Sequence, residues 1–286
     1  MDKKYRVGFI GCGNMGSALA AAISRADAVS DVILYDINSF LAEGIMIVTS
    51  GKGSVVNSAS DVIKESDFVF LGVKPNIVES VLDEIAPALI ENKDCVIVSM
   101  AAGINLFALT EGYAKALEKM GLLENSMKSG LNPIIRIMPN TPVTLGEGVV
   151  AFSTDANETI KTAFKTIMEK TGFILEVKEE NIDAVTALSG CGPAFVYSFI
   201  EALAEAGEKC GLDANDSKML AVKTVEGAAK MVELIAMTPA ELRRRVCSPG
   251  GATIEGVKVL EENEFGKTVN NAVLASFEKT KILAKK

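Results

Sequence analysis

Six residues near the N-terminus restrict the fold more than any others. Gly11-Cys12-Gly13-Asn14-Met15-Gly16 has the spacing G-x-G-x-x-G and joins a β run, Tyr5–Ile10, to a strong helix former, residues 17–25. Between a strand and a helix, each glycine has its own mechanical task. The first makes the tight turn, the second lets a pyrophosphate approach the backbone, and the third allows close packing of helix on strand. A second strand, Asp31–Tyr35, closes on Asp36, about twenty positions past Gly16, where a carboxylate typically accepts hydrogen bonds from an adenine ribose and leans toward NAD. No arginine follows within several residues to pair with a 2′-phosphate. The plainer role for Asp36 is to cap the next segment through Asn38 and Ser39.

Alternation continues downstream. Strand patterns at 54–56, 68–72 and 95–100 are separated by helical patterns, clearest over 77–89, and this order predicts a parallel sheet covered on both faces. Residues 105–130 read as a helix and a polar connection. Strand patterns at 133–138, 149–153 and 172–177 and a helix at 159–170 complete this part. Past a charged junction, Glu179-Glu180-Asn181, the periodicity is helical with no convincing strand, in runs at 194–209, 216–235, 239–246, 253–262 and 267–283. The layout is an α/β Rossmann-type parallel-sheet domain, residues 1–178, followed by an all-α domain, residues 179–286. Wide apolar faces on the later helices predict that it packs against a second copy, in a dimer or larger assembly.

Composition narrows the chemistry. The chain has no histidine among 286 residues, so a Ser-His-Asp triad, a Cys-His pair and a histidine-assisted dehydrogenase are excluded. Five scattered cysteines with no Cys-x-x-Cys spacing make a metal site improbable, and none is expected. A net charge of −8 without a basic stripe argues against nucleic-acid binding. The first strand begins at Tyr5, leaving no room for a signal peptide, and no apolar stretch reads as membrane-spanning. The expectation is a soluble, cytoplasmic protein.

A second glycine cluster carries the remaining chemistry. Cys247-Ser248-Pro249-Gly250-Gly251-Ala252-Thr253 follows Arg243-Arg244-Arg245 and precedes a helical pattern. Paired glycines let the backbone approach a ligand, and the N–H groups of a helix start favour an anion such as a carboxylate. Without histidine, a threonine hydroxyl becomes a serious candidate for polarising a substrate; the plain alternative is an ordinary helix start. Val73-Lys74-Pro75 and Met100-Ala101-Ala102-Gly103 occupy strand ends facing the ligand crevice, the small residues leaving room for a nicotinamide. Asn140-Thr141-Pro142 reads more as a turn than as a catalytic group. The arginine run reads as a solvated helix end, and Ser189-Gly190-Cys191-Gly192-Pro193 as a helix start.

With both clusters placed, the chain resembles the Δ1-pyrroline-5-carboxylate reductases nearly end to end. The most specific stretch is 242–261, where Leu242, Val246, Cys247, Ser248, Gly250, Gly251, Thr253, Gly256, Val257, Leu260 and Glu261 fall on signature positions. Support comes from the glycine loop at 11–16, Val-Lys-Pro at 73–75, Ala-Ala-Gly at 101–103, Met-Pro-Asn-Thr-Pro at 138–142 and Leu-Ser-Gly-Cys-Gly-Pro-Ala at 188–194. The resemblance implies NADPH- or NADH-dependent reduction of 1-pyrroline-5-carboxylate to L-proline, the last step of proline biosynthesis. It also implies a helical domain that interlocks with a partner as a homodimer, in many members part of a decamer. By position, Ser248, Gly250, Gly251, Ala252 and Thr253 hold the substrate, with Thr253 on the ring nitrogen and Ser248 as the second catalytic hydroxyl. Gly11, Cys12, Gly13, Asn14, Met15, Gly16, Tyr35, Asp36, Asn57, Val73, Lys74, Pro75, Ala101, Ala102 and Gly103 surround the cofactor. Two features depart from the family: residues 112–130 look like an insertion, and Arg245 replaces a polar amide. A β-hydroxyacid dehydrogenase resembles the chain around Gly190-Cys191-Gly192, but its catalytic lysine is replaced here by Val196. A non-catalytic NAD(P)H-binding sensor is the remaining alternative.

Overall fold

In a computed structural model of the chain, residues 3–124, 126 and 130–283 are described. Eight strands form one sheet in the order β3-β2-β1-β4-β5-β6-β7-β8, with β1 Tyr5–Ile10, β2 Val29–Tyr35, β3 Gly53–Val55, β4 Phe68–Leu71, β5 Val96–Ser99, β6 Ile134–Pro139, β7 Gly148–Thr154 and β8 Gly172–Glu176. The central strands are near-continuous apolar runs because both faces are covered. β4 and β5 are buried at every residue. One face packs Phe9, Phe70, Leu19, Val98, Ile137, Phe152 and Phe164, with Phe9 and Phe70 stacked at 4.9 Å between ring centroids. The other packs Ile10, Ile33, Leu71, Leu82, Ile85, Leu109 and Tyr113.

One pairing departs from the expected all-parallel sheet. β6 and β7 run antiparallel, Met138 opposite Ala151. Only the turn between Pro139 and Gly148 joins them, too short for the crossover a parallel pair requires.

Helix α1 (Asn14–Ile23) follows β1, α2 (Ser39–Val48) follows β2, α3 (Ala59–Glu65) follows β3, α4 (Val78–Glu91) follows β4, and α5 (Leu106–Lys119) follows β5. The first part of the stretch that resembles an insertion, residues 112–119, belongs to α5. Tyr113, Ala116 and Leu117 are core residues of that helix, and the Tyr113 hydroxyl donates to Asn132 Oδ1 at 2.8 Å. Within the rest of that stretch, residues 125 and 127–129 are outside those described. Helix α6 (Glu158–Ile167) connects β7 to β8.

The chain divides into two compact units, Met1–Gly190 with Phe277–Lys286, and Cys191–Ser276. This division by packing falls at Gly190, past the expected domain boundary at residue 178. The intervening turns pack on the sheet: Ile182 and Ala187 are fully buried, and Arg136 Nη1 pairs with Glu179 Oε1 at 2.7 Å. Helix α7 (Ile182–Val185) continues into a π-helical turn, Thr186–Gly190.

Helices α8 (Gly192–Lys209), α9 (Ala214–Leu234), α10 (Pro239–Val246), α11 (Ala252–Glu262) and α12 (Phe265–Leu283) follow. α8 and α9 approach closely, and a Cβ on Gly207 would lie 2.8 Å from Ser217 Oγ. Apart from that contact the helices have little core of their own. α8, α10, α11 and α12 bury no residue, while Tyr197, Leu220, Leu234 and Leu274 are exposed. Such faces need a partner to leave water. The stretch that ends in α8 corrects the sequence reading on membrane length. Among the described residues, 179–209 form one helical stretch long and apolar enough, by length and composition, to cross a bilayer.

Candidate functional site

β1 lies between β2 and β4, so the strand order reverses direction at β1. At this switch point, the carboxyl ends of the strands leave a crevice. The register makes the three ends level, with Ile10 opposite both Tyr35 and Leu71. Gly11, Asp36 and Gly72 therefore converge.

Gly11 turns the chain with φ +95°, a conformation open to glycine, and a Cβ there would lie 2.7 Å from the Gly72 carbonyl carbon. A Cβ on Gly16 would collide with Gly11 O, and one on Gly72 would lie 2.5 Å from the same oxygen. Strand, turn and helix thus meet backbone to backbone. Gly13 differs: it is exposed, has no atom within 4 Å of a would-be Cβ, and forms the N-cap of α1 without a side-chain cap. Its open side leaves the first N–H groups of α1 available to an anion.

Asp36 is fixed in place. Cys12 N donates to Oδ2 at 2.6 Å, and Asn38 N donates to Oδ1 at 2.9 Å. Both expected roles are thus compatible, since each oxygen retains a further lone pair for a ribose hydroxyl. Cys12 itself is buried, its thiol donating to Tyr35 O at 3.6 Å. Burial, reinforced by the Asp36 charge, pushes that thiol up to about 12. The thiol is a packing group and no nucleophile.

A cavity of about 460 Å³ opens here, lined by Gly11, Gly13, Tyr35, Asp36, Val73 and Lys74 among the expected residues. The lining also includes Ile37 ahead of α2, Leu41 in α2, Ala59 in α3, Ile77 in the 3-10 turn before α4, and Ser80, Val81 and Glu84 in α4. These apolar walls escaped sequence reasoning, because each reads as an ordinary helix-face residue until β2 and β4 bring their loops together. The cavity suits a flat base beside an anionic group, so the residues present fit a dinucleotide. Cys12, Asn14, Met15 and Gly16 stand behind or beside the turn rather than in the lining. Asn57 is exposed just before Ser58, the cap of α3, and Pro75 opens a 3-10 turn. Ala101, Ala102 and Gly103 follow β5, with Ala101 buried and Gly103 at φ +80°. None of this second group contributes to the cavity wall.

Asn140 is a clamp. Nearly buried, it donates from Nδ2 to Ser189 O at 3.0 Å and accepts Val149 N at 2.8 Å, tying the end of β6 to the π-helical turn. This supports the turn reading over a catalytic one.

In the helical unit, Cys247–Gly251 links α10 to α11. Gly250 adopts φ +72°, and Gly251 N donates to Ser248 O at 3.1 Å. Gly251 is the N-cap of α11 with no side-chain cap, Ala252 and Thr253 begin the helix, and Ser248, Gly250 and Thr253 are exposed. A Cβ on Gly251 would press within 2.7 Å of Ser248 Oγ. Two hydroxyls and free helix N–H groups thus share one small surface, which a carboxylate can bridge. Arg243–Arg245 occupy the last turn of α10. Arg243 lies 3.7 Å from Glu261 and Arg245 is exposed, as expected for a solvated helix end.

The fold and the crevice define a Rossmann-type, dinucleotide-dependent oxidoreductase whose chain ends in a helical unit with unpartnered apolar faces. Residues 6–103 match the family model described as NADP oxidoreductase, coenzyme F420-dependent, and residues 179–283 match pyrroline-5-carboxylate reductase dimerisation. The chain is 36% identical over 285 residues to the pyrroline-5-carboxylate reductase of Arabidopsis thaliana, covering 99% of this chain and 96% of that relative. Among solved structures it is similar to Plasmodium falciparum pyrroline carboxylate reductase with NADP bound, at 33% identity and TM-score 0.82, covering 99% of this chain and 100% of that one. A pyrroline-5-carboxylate reductase from Coxiella burnetii matches with TM-score 0.84 at 27% identity and the same coverage. The chain belongs to the pyrroline-5-carboxylate reductase family.

Proposed function

We propose that this chain reduces 1-pyrroline-5-carboxylate to L-proline with NAD(P)H, the last step of proline biosynthesis, in the cytoplasm and as a homodimer that assembles further into a decamer. The observation that carries the reading is a pair of helix starts at glycine, one in each of the two glycine clusters. Helices α3, α5, α6, α9 and α10 are capped by Ser58, Asn105, Asn157, Asp213 and Thr238 side chains. α2, α4, α7 and α8 lack a side-chain cap as well, behind Asn38, Ile77, Asn181 and Cys191, whereas α1 and α11 begin at Gly13 and Gly251, where no side chain covers the start. Each leaves orphan N–H groups that an anion would satisfy. The reaction brings two such anions, a pyrophosphate and a substrate carboxylate.

The nicotinamide supplies the hydride when bound. Gly11, Gly13 and the start of α1 would hold its pyrophosphate, Asp36 its adenine ribose, and Val73, Lys74 and Ala101–Gly103 the rest. Gly251, Ala252 and Ser248 would fix the substrate carboxylate, leaving the Thr253 hydroxyl to orient the ring nitrogen. A cyclic imine nitrogen is protonated readily, so a strong protein acid is unnecessary, which agrees with a chain lacking histidine. Most of the acceleration would come from proximity and fixed dipoles. The exposed apolar faces of α8 to α12 support the dimer.

Absorbance at the nicotinamide band, with pyrroline-5-carboxylate and each reduced cofactor, tests the proposal. Cofactor oxidation that yields proline is expected. Cofactor binding without oxidation would favour the sensor alternative instead.

A further inference from the structure

We infer that this chain selects NADH over NADPH, and that Asp36 and its neighbour Ile37 determine the choice. The inference rests on the reductase reading and deepens it. A 2′-phosphate differs from a 2′-hydroxyl by two negative charges and the loss of a donor. The adenine ribose is expected at the end of β2, and there the chain offers only Asp36, Ile37, Asn38 and Ser39.

The Asp36 carboxylate cannot easily swing aside. Cys12 N holds one oxygen at 2.6 Å and Asn38 N holds the other at 2.9 Å. Turning away for a phosphate would leave the Cys12 N–H inside the glycine turn without its acceptor. Held in place, the carboxylate accepts from a ribose hydroxyl and repels a phosphate. Ile37, the next residue, is 97% exposed, and its side chain offers no donor.

The charged residues lining the cavity are Asp36, Glu84 and Lys74. The one cation among them, Lys74, follows β4, on the opposite side of β1 from Asp36. It therefore stands across the Gly11 turn, toward the pyrophosphate expected at α1. The local balance near the ribose is therefore negative.

The test is direct titration of the full-length protein with NADH and with NADPH, followed by nicotinamide fluorescence, alongside kcat/KM for both. NADH is expected to bind at least tenfold more tightly, with the same preference in kcat/KM. Ile37→Arg keeps the Asp36 contacts and substitutes an exposed side chain, so the fold is spared. It is expected to shift the ratio of NADPH to NADH binding severalfold toward NADPH. Asp36→Ser combined with Ile37→Arg is expected to shift the binding ratio toward NADPH by a further tenfold or more. NADPH binding as tightly as NADH to the unmodified protein, or a ratio indifferent to both variants, would overturn the inference while leaving the reductase reading intact. Failure of both nucleotides to bind would overturn that reading, and the inference with it.

Discussion

Gly13→Ala separates ligand approach from folding. Gly13 has φ −71° and ψ −171°, an extended conformation alanine adopts without strain, and no atom lies within 4 Å of its would-be Cβ. Two small effects on stability oppose each other. Replacing glycine lowers the entropy of the unfolded chain and stabilises by about 0.4–1 kcal/mol. Alanine is a poorer N-cap than glycine, which costs a few tenths to about 1 kcal/mol. The sum is near zero, so Tm should move by no more than about 2 °C in a chain of this size. The added methyl instead occupies the side from which the pyrophosphate is expected to approach. Overpacking of that kind costs about 1–3 kcal/mol, or roughly a 5- to 150-fold weaker Kd. Gly16→Ala is the opposite control. Its Cβ meets the Gly11 carbonyl oxygen, so it should lower Tm by several degrees before any cofactor is added. Thermal melts and nicotinamide titrations of the two variants provide the assay. Unchanged cofactor affinity in a folded Gly13→Ala protein would refute the role given to the exposed glycine.

Other perturbations probe separate parts of the account. Thr253→Ala should lower kcat substantially with little change in cofactor affinity, and unchanged steady-state rates would remove Thr253 from the mechanism. Glu179→Ala strips the buried Arg136 guanidinium of its partner and Leu106 N of its acceptor. Water reaches Glu179 but hardly Arg136, so the loss should be about 2–3 kcal/mol, below the range for a wholly buried pair, and a urea midpoint measures it. The Cys12 and Cys95 thiols are both pushed up to about 12 from an ordinary value of 9.0, chiefly by burial. The native state keeps their protons where the unfolded chain has lost them. Their contribution is therefore whole below pH 9 and is lost as pH rises toward about 12. Urea midpoints that stay flat between pH 8 and 11 would contradict this.

The doubly wound half was legible because burial on both faces leaves an unmistakable imprint. Val7, Phe9, Phe68–Leu71 and Val96–Val98 are apolar without alternation, and the helices between them are spaced as crossovers. Strand direction was not carried by that pattern. The antiparallel β6–β7 pair was encoded in the short 140–147 connection, a turn length rather than a periodicity. The glycine turn was read correctly up to Gly16, yet Gly72 was seen only as a strand end. Its packing on Gly11 O exists only once β1 and β4 pair. The same holds for Ile37, Leu41, Ile77 and Val81, whose apolar character points to a core until the crevice forms around them. The bare start of α11 was legible from Gly250-Gly251 alone, because glycine cannot cap with a side chain. The helical stretch at 179–209 was missed as a long apolar run because Ser189, Gly190 and Gly192 interrupt it as text, although the backbone stays helical through most of it.

Deuteride tracing addresses hydride delivery to a cyclic imino acid most directly. The protein would be given reduced cofactor carrying deuterium at the transferable nicotinamide position, together with pyrroline-5-carboxylate, and the product analysed by mass spectrometry. The account predicts L-proline bearing one deuterium on the ring carbon that had been doubly bonded to nitrogen. Proline without the label, or labelled cofactor left unconsumed beside intact imine, would contradict it.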